Sequence, residues 1–151
     1  MNNSNVGQFS YSEDVIRILT ILKLDTKGLY ERLTLYFPEY INILAAKRSR
    51  EHFKDIVRSK YDTIRFEDLK NCGQELLIEL DCFYKKVFEI KWYLFNTEDM
   101  PNRMEDKLKY DFKELERAYN SLELYLNVEF DNAKMRNFGN ESRQSDRLET
   151  V

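Results

Sequence analysis

The chain has 151 residues, and its 24 basic and 27 acidic side chains leave a formal net charge of -3. This length predicts one domain, and the near balance of charge excludes a global field that would attract nucleic acid or anionic lipid. Only four glycines and two prolines are available for turns, and no alternation of apolar and polar residues is sustained, so we expect an all-helical protein.

The first expected helix begins near Ser10, which can form a capping box, or Ser12, an alternative cap that gives the same helix. Residues 25–28 should interrupt it, and a second helix should follow to Phe37. Pro38 then either starts a new helix or kinks a continuous one. Apolar residues cover most of the circumference of the first helix, which predicts burial on more than one side. These residues are Val15, Ile16, Ile18, Leu19, Ile21, Leu22 and Leu24.

No membrane segment is expected. The most apolar stretch, residues 15–24, is interrupted by Arg17 and Lys23 and is too short to cross a bilayer. Residues 1–10 lack the basic and then apolar order of a secretory signal. We therefore expect a cytoplasmic protein without membrane insertion.

Residues 47–60 form a basic run of six positive and two negative side chains. A cluster of this kind can contact a phosphate backbone. An acidic segment at 62–81 follows, however, and we expect the two segments to neutralise each other as antiparallel neighbours. Nucleic-acid binding is therefore an alternative and not the main expectation. Its candidate contacts are Lys47, Arg48, Arg50, Lys54 and Arg58.

His52 is the only histidine of the chain and the only side chain whose ordinary titration falls near neutral pH. Together with Arg48 it would serve a divergent helical ribonuclease. The two residues stand closer together than the arginine and histidine of the HEPN ribonuclease motif, so that motif is not carried here. We interpret His52 as a solvated helix residue beside Glu51.

Two long helices are expected next, from about 64 to 96 and from Pro101 to 133–136. Their apolar residues recur at alternating spacings of four and three, which predicts an antiparallel hairpin within a bundle of four to five helices. We assign residues 1–136 to a single domain and 137–151 to a disordered polar tail. The two patterns consist of Leu69, Gly73, Leu76, Leu80, Phe83, Val87, Ile90 and Leu94, and of Leu108, Phe112, Leu115, Tyr119, Leu122 and Leu126.

Neither a disulfide nor a metal site is expected. Cys72 and Cys82 fall in the same expected helix, roughly 15 Å apart at the rise of an α-helix, beyond disulfide reach. One histidine and two separated cysteines do not make a zinc site, and the inward positions of the expected helices lack the acidic and histidine ligands of a di-iron bundle. No cofactor is implied.

Aromatic residues beside the apolar pattern are the strongest local signal for function. Tyr84, Phe88, Trp92 and Phe95 face away from the expected core positions of their helix. One interpretation is that the first helix, or the segment before Pro38, covers this stripe, because aromatic residues at helical spacing usually belong to a core. The other is a surface that binds a helix of a partner protein, with Trp92 as its anchor.

These patterns favour a non-enzymatic protein-binding module, such as an adaptor, a chaperone-like factor or a regulator of a larger assembly. The expected partner is another protein, bound at Tyr84, Phe88, Trp92 and Phe95, and pairing of two copies of the chain is left open. The alternative is a nucleic-acid-binding protein or a ribonuclease that uses residues 47–60 and His52.

Overall fold

The computed structural model describes residues 6–39, 51, 53–97 and 101–148, with side chains for 13–39, 51, 53–97, 102–136 and 139. Every regular element in these ranges is a helix, which confirms the all-helical class. The number of helices in the expected bundle stays a prediction. The elements are α1 (Val6–Leu35), α2 (Phe53–Ile56), a 3-10 helix (Tyr61–Thr63), α3 (Phe66–Leu69), α4 (Gln74–Asn96) and α5 (Pro101–Leu148).

Helix α1 is continuous through the expected break at residues 25–28, so that expectation is wrong. The Thr26 hydroxyl donates to the carbonyl of Leu22 at 2.8 Å and stays within the helix. Asp25 is also buried, with its carboxylate bonded to a distant segment of the chain. Burial on more than one side is wrong at Ile21 and Leu24, which are 39% and 63% exposed.

Helix α4 begins at Gln74 and not near Ile64 as expected. Gly73 precedes it in an extended conformation, and its N–H donates to Glu129 Oε1 at 2.6 Å. This contact and the low helix propensity of glycine explain why the helix does not extend further toward the N-terminus than Gln74. Cys72 therefore lies in the turn before α4 and is buried, while Cys82 lies within α4 and is exposed; both are free thiols.

Helix α5 continues to Leu148, so its expected end at 133–136 is wrong. The additional residues include one glycine, Gly139, and no proline, so little in their composition stops a helix. The expected disordered tail is corrected over 137–148, and residues 149–151 lie outside the described residues. The domain boundary at 136 stays a prediction.

Helix α5 packs along both α1 and α4 and runs antiparallel to each. On one side Lys23 Nζ lies 2.9 Å from Asn127 Oδ1, and the rings of Phe37 and Phe112 meet edge to face at 5.0 Å. As the residue number rises along α1, it falls along α5. Helices α1 and α4 consequently run in the same direction, and the chain between them has to cross over.

Helices α4 and α5 are also antiparallel to each other. Gly73 at the start of α4 contacts Glu129, and Tyr93 near its end has Lys107 Nζ at 5.6 Å from the ring centre. The expected core positions of α4 from Leu76 onward are all buried. In α5, Phe112 and Tyr119 are only half-buried, whereas the expected positions Leu108, Leu115, Leu122 and Leu126 are buried.

Candidate docking surface

Two large aromatic side chains are exposed one helical turn apart on α4. Phe88 is 63% exposed and Trp92 is 56% exposed, although the opposite side of the same helix is buried against α5. Side chains one turn apart lie on the same side of a helix. We call this pair the aromatic face. At these two positions α1 does not cover the expected stripe.

Phe95 and Tyr84, the other two expected binding residues, are half-buried at the border of the aromatic face. The Phe95 ring meets the ring of Phe53 edge to face at 6.4 Å, and Phe53 is fully buried. The neighbour of the stripe is therefore α2, from the crossover between α1 and α4. The structure brings all four expected residues to one side of α4 but exposes only two of them.

Tyr84 points its hydroxyl inward to a buried carboxylate. The hydroxyl donates to Asp25 Oδ2 at 2.7 Å, and the Ser59 hydroxyl donates to the same oxygen at 2.6 Å. The backbone N–H of Lys60 donates to Asp25 Oδ1 at 2.7 Å. We call this arrangement the Asp25 clasp. Burial, followed by the hydrogen bond and charge of Asp25, raises the pKa of Tyr84 above its ordinary value, so the hydroxyl remains a donor.

The crossover segment is attached at further points beside the Asp25 clasp. The ring of Tyr61 stacks on the ring of Tyr84 with centres 3.8 Å apart. The backbone N–H of Tyr61 donates to the Ser59 hydroxyl oxygen at 3.0 Å. Arg32 of α1 donates through Nε to the carbonyl of Ile56 at 3.1 Å. These contacts hold the crossover beside α4 at the border of the aromatic face.

Lysines accompany the aromatic face along α4. Residues 84–96 contain three lysines and one glutamate. Lys86 Nζ bonds Glu89 at 2.6 Å, and this hydrogen bond is the main cause that raises the pKa of Lys86 and lowers that of Glu89. No carboxylate of the described residues lies within 4.0 Å of the amines of Lys85 and Lys91. The surroundings of the aromatic face are therefore locally positive.

Two of the three described cations of the basic run form ion pairs within the run. Lys54 contacts Glu51, and Arg58 contacts Asp55 at 2.8 Å. The expectation that these cations pair with residues 62–81 is wrong at Lys54 and Arg58, because carboxylates three residues away are nearer. The other expected contacts, Lys47, Arg48, Arg50 and His52, lie outside the described residues.

A second polar site lies where α4 begins against α5. A cavity of about 210 Å³ is lined by Gly73, Cys72, Glu129 and Arg136 among others. Burial raises the pKa of Glu129, although the hydrogen bond from Gly73 opposes it. Burial and the nearby Glu129 raise the pKa of the Cys72 thiol to about 11, which disfavours the reactive thiolate. Among the residues the structure describes, no cluster of histidine, cysteine and acidic side chains could hold a metal.

The sequence reasoning missed the Asp25 clasp and the Gly73–Glu129 contact. Both join residues far apart in the chain, so neither produces a periodic signal. No family model, curated protein or solved structure matches the chain. Within the described ranges, no helix has both the length and the apolar character needed to span a bilayer.

Proposed function

We propose that the chain is a cytoplasmic, non-enzymatic protein-binding module that docks a helix of a partner protein on the aromatic face of α4. One observation carries this proposal: Phe88 and Trp92 are exposed side by side on a helix whose opposite side is buried. Exposed aromatic clusters are expensive to leave in water, and tryptophan is the commonest anchor of protein interfaces.

The support beneath the aromatic face favours binding. Helix α4 is fixed to α5 through its buried side, and the Asp25 clasp fixes the crossover at its border. A preformed surface loses little conformational entropy when a partner binds. We also propose that the helices form an antiparallel bundle of four to five helices, because α5 runs antiparallel to both α1 and α4. An adaptor, a chaperone-like factor and a regulator of an assembly would all use such a surface.

The polar groups outside the aromatic face support a binding role more than a catalytic one. The carboxylate of Asp25 already accepts three hydrogen bonds, and the Cys72 thiol has a raised pKa. Neither arrangement supplies an activated nucleophile with an adjacent base. Nucleic-acid binding is a weaker candidate, because Lys54 and Arg58, two of the three described cations of the basic run, are paired with Glu51 and Asp55.

The test compares capture of a partner from an extract by the intact chain and by variants. Trp92→Ala should weaken binding of the captured protein, once purified, by about 2 kcal/mol, the scale of an interface anchor. The same variant should change the free energy of unfolding by about 0.5 kcal/mol or less, since Trp92 is more than half exposed. Ile78→Ala, at an exposed apolar residue elsewhere on α4, is the matched control and should bind normally.

Tryptophan fluorescence checks the premise in the free protein, because the chain has one tryptophan. Emission at long wavelength that iodide and acrylamide quench readily is expected. A blue emission protected from both quenchers, with a large loss of stability in Trp92→Ala, would place Trp92 in a core and contradict the proposal.

A further inference from the structure

We infer, on the basis of the proposed function, that the partner segment is an acidic amphipathic helix: apolar side chains cover Phe88 and Trp92, and glutamates or aspartates meet the lysines beside them. The inference adds the charge of the partner to the proposal of a docking surface. Three sets of observations support it: the lysines on α4, the charges around the aromatic face, and the poor match of those charges to a phosphate chain.

The first set is the position of two lysines on α4. Lys85 lies three residues before Phe88 and Lys91 three residues after it. On a helix, this spacing places both lysines next to Phe88, displaced to either side of the line from Phe88 to Trp92. Both are exposed, and among the described residues neither has a carboxylate within 4.0 Å. Their charge is available to a partner.

The second set is the balance of charge around the face. The acid nearest to Trp92 along α4, Glu89, is bonded to Lys86 at 2.6 Å; it also feels the charge of Lys85 but forms no ion pair with it. On the crossover side, Phe53 contacts Phe95, and the neighbouring Lys54 is paired with Glu51, so the free positive charge beside the face comes from Lys85 and Lys91 on α4. The chain as a whole is negative at -3, so the positive charge is a local property of this region. A partner with carboxylates beside its apolar residues would be complementary to it.

The third set distinguishes a peptide from single-stranded RNA, which also binds aromatic residues next to lysines. A phosphate chain needs an uninterrupted positive track. Here Lys54 and Arg58 are occupied by Glu51 and Asp55, which leaves Lys85 and Lys91 as separate cations and not as a continuous track. Separate carboxylates on a helix can reach Lys85 and Lys91 individually. The arrangement therefore favours an acidic helix over a nucleic acid.

The experiment titrates the full chain with three probes and follows the emission of Trp92. Two synthetic amphipathic helical peptides of equal length share one row of leucines and lack aromatic residues; the first carries glutamate at its polar positions and the second carries lysine. The third probe is a single-stranded polyuridine oligonucleotide. At low salt, the acidic peptide should bind roughly tenfold more tightly than the basic one, and added salt should reduce the difference.

Three variants assign the effect. The double variant Lys85→Glu, Lys91→Glu should reverse the preference between the two peptides, while Phe88→Ala should weaken both peptides by a similar factor. Ile78→Ala should leave both affinities unchanged. Circular dichroism of each variant confirms that the helices are retained.

The outcomes separate this inference from the proposed function. Equal affinities for the two peptides that depend on Phe88 would overturn the inference of an acidic partner and leave the proposed docking surface intact. A preference for the basic peptide would have the same meaning. No binding of either peptide would overturn both proposals. Tighter binding of polyuridine than of the acidic peptide would also overturn both, in favour of a nucleic-acid-binding protein.

Discussion

Asp25 joins groups from three parts of the chain with one carboxylate. It lies on α1, and its hydrogen-bond partners Ser59 and Lys60 lie on the crossover, while Tyr84 lies on α4. A buried donor that loses its acceptor costs more than a hydrogen bond contributes, because the donor is no longer solvated either. The residue is therefore more important for the position of the crossover than any single partner.

Asp25→Ala should lower the free energy of unfolding by about 3 kcal/mol, because three donors lose their acceptor at once. Tyr84→Phe removes one donor and leaves Asp25 with two, so a loss of about 1 kcal/mol is expected. Urea unfolding followed by circular dichroism measures both. Equal losses in the two variants would show that Tyr84 is the only partner that matters.

The ionisation of Glu129 should make the free energy of unfolding vary with pH in the acid range. Burial raises its pKa in the folded protein, so its protonated form favours folding. That contribution is complete below the pKa of the unfolded chain and is lost as the pH rises through the folded pKa. Glu129→Gln keeps an oxygen that accepts from Gly73 but stays neutral. The variant should gain stability over the parent between pH 4 and pH 7, as measured by urea unfolding at each pH.

The exposed Glu116 on α5 provides the control for this titration. Glu116→Gln removes the same charge from α5 away from Gly73 and gives the effect of the charge change alone. A Glu129→Gln variant that is less stable at pH 7 than at pH 4, relative to the parent, would mean that the carboxylate charge stabilises the fold.

At the scale of elements, the junction between α4 and α5 depends on the absence of a side chain at residue 73. A Cβ built on Gly73 would collide with Glu129 Oε1, although its backbone conformation suits any residue. The glycine thus allows the carboxylate to approach the N–H of Gly73, just before the first residue of the helix. This contact sets where α4 begins along α5.

Gly73→Ala should cost about 1 kcal/mol, because the flexible end of Glu129 has to move away and its hydrogen bond is lost. In a chain that already carries Glu129→Ala, the same change should cost much less, since nothing is left to collide with. A double-mutant cycle measured by urea unfolding gives the coupling between the two sites. Additive effects would show that the glycine serves another purpose.

Periodicity predicted the buried positions where contacts repeat along one helix, although it misplaced several helix ends. The positions Leu76, Phe83 and Ile90 are buried as expected, because each lies on the same side of α4. Periodicity could not predict the hydrogen bond between Asp25 and Tyr84, which are 59 residues apart. It also did not predict that α1 continues through Asp25 without a break. The exposure of Trp92 was also undecided by sequence, because it depends on which element packs beside α4.

Across the whole molecule, several tyrosines pack against the core and share one response to pH. Burial is the largest cause that raises the pKa of Tyr30, Tyr61, Tyr84 and Tyr119. Folded pKa values above the unfolded ones mean that stability falls as the pH rises past about 10, the ordinary tyrosine value.

An absorbance titration of phenolate should therefore show two groups of tyrosines, one that titrates in the folded protein and one that titrates together with unfolding. Urea unfolding at pH 8 and at pH 10.5 should give a lower stability at the higher pH. Titration of all tyrosines in one step near pH 10, with circular dichroism unchanged, would contradict the burial of these four rings.

The place of α5 in the fold has a consequence for synthesis on the ribosome. Helices α1 and α4 each pack along α5, and α5 is the last of the described helices to be translated. In a nascent chain that ends before Pro101, the leucines that α1 and α4 pack against α5 are still exposed. Until α5 has been synthesised, the chain should therefore be a substrate for ribosome-associated chaperones.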